Sequence, residues 1–307
     1  MKCTTCIITL MIFGVLAVDA AGEGEKYELK EQFKKDEVET ADSYMKLEMD
    51  VKVKVGAEDG KLPVKIKTIH KYLQKVLSID EKGKPTKAVR YYQKSRMEAE
   101  QPAAKPRSGT TVFEGKTYII EKKDDKVKAE LLGGAKVTEQ EEKELGTAVA
   151  GNYGKVLPDK SVETGESWNV PIDAIREIFS IAGEAKGSAK AKFAEIKKQE
   201  DENLAIVKIE TEIDVPEGDL TMHYKGNGKV EFSLKKKRII SFSFSADISV
   251  SGTRKSKYGE AKFSGGGTVK SWFKTTPGKG KINLTPPDNK KDSTGEEKGD
   301  EPGKAEK

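Results

Sequence analysis

The chain is poor in the side chains that most often carry chemistry. Its 307 residues hold two cysteines, two histidines and two tryptophans, and only six of its 56 basic residues are arginine. Cys3 and Cys6 both lie at the extreme N-terminus, so the rest of the chain has no disulfide to staple it. Its stability must come from ordinary burial. With only His70 and His223, no His-x-x-x-His pair can form, and neither a cysteine cluster nor a calcium-loop spacing of carboxylates occurs. No metal or other cofactor is expected.

Nucleophile signatures are equally thin. There is no Gly-x-Ser-x-Gly. Ser233-Leu-Lys-Lys236 and Ser271-Trp-Phe-Lys274 match Ser-x-x-Lys formally. That motif needs a helical turn to bring its two side chains together, and both matches lie in strand-like sequence. Gly226-Asn-Gly228 has neither a third glycine nor a following Gly-Lys-Ser/Thr, so no phosphate-cradling loop is expected. A catalytic role for either histidine is disfavoured. Scarce arginine, the residue suited to bidentate base and phosphate recognition, argues against nucleic acid as a partner.

Long apolar runs are missing too. The longest, Ile7 to Val18, is too short to span a bilayer, which takes roughly 20 residues. Lys2 precedes it and Val18-Asp19-Ala20 follows, the grammar of a secretory signal peptide cleaved between Ala20 and Ala21. The expectation is an exported, periplasmic or extracellular protein, not a transmembrane one. Aromatic residues make up 7% and form no girdles, which disfavours an outer-membrane barrel.

What is abundant is alternation. Hydrophobic and charged residues each make up 35% of the chain, with a net charge of only +5. Met45, Leu47, Met49, Val51, Val53 and Val55 alternate with Lys46, Glu48, Asp50, Lys52 and Lys54, which gives a strand one dry and one wet face. Leu62, Val64 and Ile66 continue the pattern, and a turn at 82–85 leads to a strand through Val89 and Tyr91. Strands near 113–122 and 127–132 flank Asp124-Asp125 as a hairpin. Later, Ala205 to Val215, Met222 to Leu234, Ile240 to Val250 and Ala261 to Phe273 repeat the period of two, with Ser241, Ser243, Ser245 and Ser249 facing out.

Two segments break this rhythm. Thr138-Glu-Gln-Glu141 is a capping box opening a helix that ends near Gly151. Pro171 opens a second helix, with Ile172, Ile175, Ile178 and Phe179 on one stripe and Gly183 as its stop. Residues 100–109 read as a loop. The expected fold is mainly β: an antiparallel curved sheet or half-barrel of about ten strands with two short mid-chain helices. Three regions are expected: a signal at 1–20, a single β-rich domain at 21–275, and a charged disordered tail at 276–307.

Small residues recur on the inward register. Ala189, Ala191, Gly226, Gly228, Ala261 and, beside them, Phe263 are the candidate ligand-facing positions. Glycine inside strands marks a bend or a close approach. The room these residues leave could be filled by a helix or by a ligand, and the sequence leaves both open.

The segment Leu157-Pro-Asp-Lys-Ser-Val-Glu-Thr-Gly-Glu-Ser-Trp168 resembles a motif of uncharacterised bacterial exported proteins. Tyr27 to Leu29 and Phe113 to Thr117 are similar to theirs as well, and Ser161 stands where that family's pattern has proline. The resemblance spans about residues 27–274 and implies export and a β-rich fold, with no activity. The arrangement of signal, antiparallel strands and mid-chain helices also resembles the lipoprotein-carrier (LolA-like) half-barrels at the level of fold alone. That likeness implies an acyl chain or other apolar ligand held under helical lids. The leading expectation is a non-enzymatic binder of a lipid or other apolar molecule. The alternative is a structural or interaction domain whose lysine-rich face meets an anionic envelope surface.

Overall fold

Alternation over most of the chain leaves each strand with one apolar face, and hairpin links make neighbouring strands antiparallel. The computed structural model describes residues 24–100, 107–123, 126–139, 141–142, 145, 152–179, 181, 183–256, 259–278 and 281–282. The strands are β1 (Lys26–Tyr27), β2 (Val38–Val55), β3 (Glu58–Ile79), β4 (Pro85–Glu100), β5 (Arg107–Thr110), β6 (Thr117–Lys123) and β7 (Lys126–Leu131). They continue with β8 (Val162–Glu163), β9 (Ser167–Asn169), β10 (Lys186–Gln199), β11 (Glu202–Glu217), β12 (Leu220–Ser233), β13 (Arg238–Ser256) and β14 (Gly259–Pro277). A 3-10 turn (Asn152–Val156) and helix α1 (Ile172–Ile178) lie between β7 and β10.

Twelve of the strands form one antiparallel sheet in the order β7-β6-β4-β3-β2-β14-β13-β12-β11-β10-β9, with β5 also on β4. The sheet is not closed, since β7 and β9 stand at its two ends. β14 pairs with β2 over Ala261–Pro277 and Glu39–Val55, which joins the two halves of the chain in the middle of the sheet. The remaining strands, β1 and β8, pair with each other through Lys26↔Glu163 and Tyr27↔Val162.

The strand count exceeds the ten expected because several pieces are too short to show a period. Arg107–Thr110, expected as loop, pairs with Arg96–Ala99 through backbone bonds that require no apolar pattern. In contrast, β6 starts at Thr117, after a turn in which Phe113 is 3% exposed. The hairpin between β6 and β7 is as expected, although its tip at 124–125 falls outside the described residues.

The capping box is present: Thr138 N–H donates to Glu141 Oε2 (2.8 Å) and Glu141 N–H donates to Thr138 Oγ1 (3.2 Å). The helix it opens includes Glu139, Glu141, Glu142 and Leu145, while 146–151 fall outside the described residues. α1 follows Pro171 as expected but stops at Ile178, short of Gly183, whose φ is +83°. The expected signal (1–20) and nearly all of the expected tail (276–307) fall outside the described residues. No helix among those described is long and apolar enough to cross a membrane.

Two cores result. The larger one packs the 3-10 turn, α1 and Leu29 onto β10–β13, with Phe193, Val207, Val230, Phe232 and Phe242 at most 1% exposed. Tyr92, Phe113, Tyr118, Ile120 and Leu145 form the smaller one.

Candidate ligand-facing surface

Residues paired directly across antiparallel strands share a face, so the register defines rows of side chains. One inner-face row crosses eight strands: Ala189, Thr211, Gly226, Ala246, Val269, Leu47, Ile66 and Ala99. Ala189, Thr211, Gly226 and Ala246 are buried, whereas Val269, Leu47, Ile66 and Ala99 are only half-buried. The change falls between β13 and β14. It arises because α1 packs on β10 and the 3-10 turn on β13.

Aromatic rings seal that boundary. Tyr153 stacks on Phe273 with centroids 4.8 Å apart, and Phe179 meets Phe244 at 4.3 Å. Beyond them the inner face stays apolar through Met49, Val51 and Val53, and then through Leu62 and Val64. Met45, Leu62 and Met97 are 37%, 36% and 41% exposed. These are large apolar side chains that the fold leaves in water.

The six sequence-derived candidates separate along the same line. Ala189 and Ala191 are 4% and 0% exposed, within the larger core. Gly226 and Gly228 make room for a ring of the protein itself: a Cβ on Gly226 would lie 2.7 Å from Phe244 Cζ, and one on Gly228 would lie 3.1 Å from Phe244 Cδ2. Ala261 (9% exposed) and Phe263 (half-buried) sit on the inner face at the uncapped end, opposite Val55 and Val53. The structure therefore does not bring the six together. In the middle of the small-residue patch the Thr211 hydroxyl is buried without a hydrogen-bond partner.

Neither histidine is free to work on a ligand. His70 Nδ1 lies 2.7 Å from Ser95 Oγ, which lies 2.5 Å from Thr111 Oγ1, and Ser95 is 0% exposed. Burial, helped by the Arg90 charge, pushes the His70 pKa down to about 4, so its imidazole is neutral at pH 7. No substrate atom reaches a hydroxyl sealed in this way. His223 lies on the outer face with Nδ1 2.8 Å from Asp214 Oδ1. Ser233 and Lys236 both bind Glu202, which staples the turn between β12 and β13. Ser271 and Lys274 point to opposite faces of β14, since Ser271 pairs with Met45 and Lys274 with Asp42.

Two features were not read from the sequence. The first is a buried polar network. Arg238 donates to Glu39 (2.5 Å) and Glu37 (3.1 Å), with Glu31 3.7 Å from its Nε. Gln74 donates to Glu39 (2.9 Å) and accepts from Arg90 (2.6 Å), and the Thr275 hydroxyl also donates to Glu39 (3.1 Å). Burial raises the Glu31 carboxyl, and Arg238 only partly opposes this. The one available signal was the choice of arginine at 90 and 238 in a chain with only six arginines among its 56 basic residues. A cleft of about 10 Å³ beside Gln74, Arg90 and Ile120 has room for a single water.

The second feature is the role of the 157–168 motif. Val162 pairs with Tyr27, whose ring meets Phe193 edge-on at 5.6 Å, and Trp168 Nε1 donates to Val156 O (2.9 Å). The motif thus closes the covering layer onto β10. Gly165, at φ +93°, makes the bend. Among the described residues no group of His, Cys, Asp and Glu is arranged to hold a metal ion. Comparison with protein-family profiles and with curated proteins gave no match.

Proposed function

We propose that this is an exported protein that binds a lipid or another apolar molecule on the uncapped part of its inner sheet face, as a half-barrel open on one side. One observation supports the reading above the others. The inner-face rows stay apolar after the covering layer ends, leaving Met45, Leu62 and Met97 among the most exposed large hydrophobic residues. A sheet whose wet face is lysine- and glutamate-rich has no folding reason to keep the other face of its central strands free of charge where that face is uncovered.

The bound group would lie across β14, β2, β3 and β4, against Leu47, Met49, Val51 and Val64 rather than against Ala189 or Gly226. Methionines at 45, 49 and 97 suit a surface that adapts to an acyl chain. Chemistry on the ligand is not part of the reading, because the described residues of this surface place no exposed nucleophile beside a base.

Delipidated full-length protein titrated with a fluorescent fatty-acid analogue tests it. Saturable binding is expected, weakened at least tenfold by Leu62→Glu or Met97→Glu with the circular dichroism spectrum unchanged. Absence of saturable binding, or binding indifferent to both substitutions, overturns the proposal.

A further inference from the structure

The outer face carries a feature that the apolar surface does not use. Trp272 on β14 is 42% exposed and stacks on Tyr44 of β2, with centroids 5.9 Å apart and planes 14° from parallel. On its other side Trp272 pairs with Ser243, whose short side chain leaves that face of the indole open. Neither ring contributes to a core. The cross-strand stack returns only about 1 kcal/mol to the sheet, and an indole left this exposed offers a contact surface.

Charge around the stack is one-sided. Lys270 and Lys274 flank Trp272 along β14, while Lys71 on β3 and Lys94 and Arg96 on β4 continue the same rows past Tyr44. None of these five cations has an ion-pair partner among the described residues, and Asp42 is the one carboxylate set between Lys274 and Lys71. Neighbouring charges behave differently. Lys46 pairs with Glu48, Lys67 with Glu98 and Lys229 with Glu231, at 2.9, 3.1 and 2.7 Å. Those cations are neutralised by a bonded carboxylate, and the five around the aromatic stack are not. The local surplus of four positive charges compares with +5 for the whole chain.

We propose that this strip is a second binding surface, for an acidic polysaccharide of the polyuronate type. A pyranose ring presents a flat face of C–H groups that fits the open side of the Trp272 indole. Its carboxylates would meet cations that recur from strand to strand, at about 4.8 Å per strand and over about 14 Å from β14 to β4. Lysine, a flexible point charge, suits carboxylates spaced along a chain, whereas four of the five cations lack the guanidinium fork that favours nucleic-acid phosphates. A membrane surface fits less well, because the two rings stack on each other rather than project as wedges, and Ile69 is the one apolar side chain beside them in the row.

The proposal is independent of the apolar site, and its test leaves that site untouched. Full-length protein is titrated with polygalacturonate at low and at moderate salt, with neutral dextran, duplex DNA and anionic phospholipid vesicles as competitors. Binding to polygalacturonate is expected, weakening with salt and unaffected by dextran. Trp272→Ala, which leaves every charge in place, should weaken it at least fivefold, as should Lys270→Gln with Lys274→Gln. Lys52→Gln with Lys54→Gln removes equal charge farther along β2 and should change it less than twofold. The proposal is overturned if polygalacturonate does not bind, if the two lysine pairs have equal effects, if Trp272→Ala is silent, or if DNA or vesicles bind more tightly than the polyuronate.

Discussion

Replacing Arg238 by leucine should destabilise the protein by about 3 kcal/mol at pH 7. The guanidinium is 3% exposed and lies 2.5 Å from Glu39 and 3.1 Å from Glu37, with the Phe33 ring 3.5 Å beneath it. Unit charges about 4 Å apart at an effective dielectric near 20 attract by about 4 kcal/mol. Burying a leucine returns roughly 1–2 kcal/mol of this, and the stranded carboxylates add their own desolvation cost. Without the cation that opposes it, burial raises the Glu31 carboxyl further, so it holds its proton to higher pH in the folded state than in the unfolded chain. A raised carboxyl stabilises the fold below its unfolded pKa and loses that contribution as pH rises through the folded one. The deficit of Arg238→Leu relative to the parent should therefore be largest at pH 8 and shrink towards pH 5. Adding Glu39→Gln should recover about half of it. Urea denaturation followed by tryptophan fluorescence across that range measures all of this. A penalty below about 1 kcal/mol, or one flat with pH, would refute the argument that the network is a charge-balanced unit.

Other consequences are as specific. Burial would raise the Glu141 carboxyl, yet hydrogen bonds from Lys116 (2.7 Å), Tyr118 (2.5 Å) and Thr138 outweigh it and hold it at about 2. Its contribution is present above pH 4.5 and lost as pH falls towards 2, so Glu141→Gln should cost about 2 kcal/mol at pH 7 and little at pH 2.5 in urea titrations. His70, lowered to about 4, stabilises the fold above pH 6.5 and loses that contribution between 6.5 and 4; His70→Gln should flatten this limb by about 2 kcal/mol. Thr211→Val removes a buried hydroxyl that has no partner and should stabilise by about 1 kcal/mol in thermal melts. A loss of more than 1 kcal/mol there would mean that the hydroxyl has a partner after all. Gly226→Ala places a Cβ 2.5 Å from that of Ala246 and 2.7 Å from Phe244, and should cost about 2–3 kcal/mol by the same measurement.

Much of the fold was legible because its signals are local. The alternation from Met45 to Val55 specifies a strand and its dry face, the Thr138–Glu141 box a helix start, and Pro171 another, since each depends on residues within a turn or two of one another. Short pieces such as Arg107–Thr110 were not legible, because a four-residue strand is selected by the neighbour it pairs with. The same limit applied to the inner face. The small residues at 189, 191, 226 and 228 were correctly placed on one side of the sheet, but which group fills their space depends on where Phe244, Phe179 and α1 come to rest.

The sequence by itself determined a mainly β, antiparallel chain with a dry face and a wet one, because a period of two needs nothing beyond the strand. Tertiary structure alone decided where the dry face is covered. β14 joins β2 across more than 200 residues of chain, and the covering layer packs on β10 and β13, with Tyr153 reaching Phe273 of β14. It also gathered Glu31, Glu39, Arg90 and Arg238 into one buried network, and set Trp272 against Tyr44 among unpaired cations. Contacts between residues so far apart in sequence follow from sheet order and register, which no local pattern encodes.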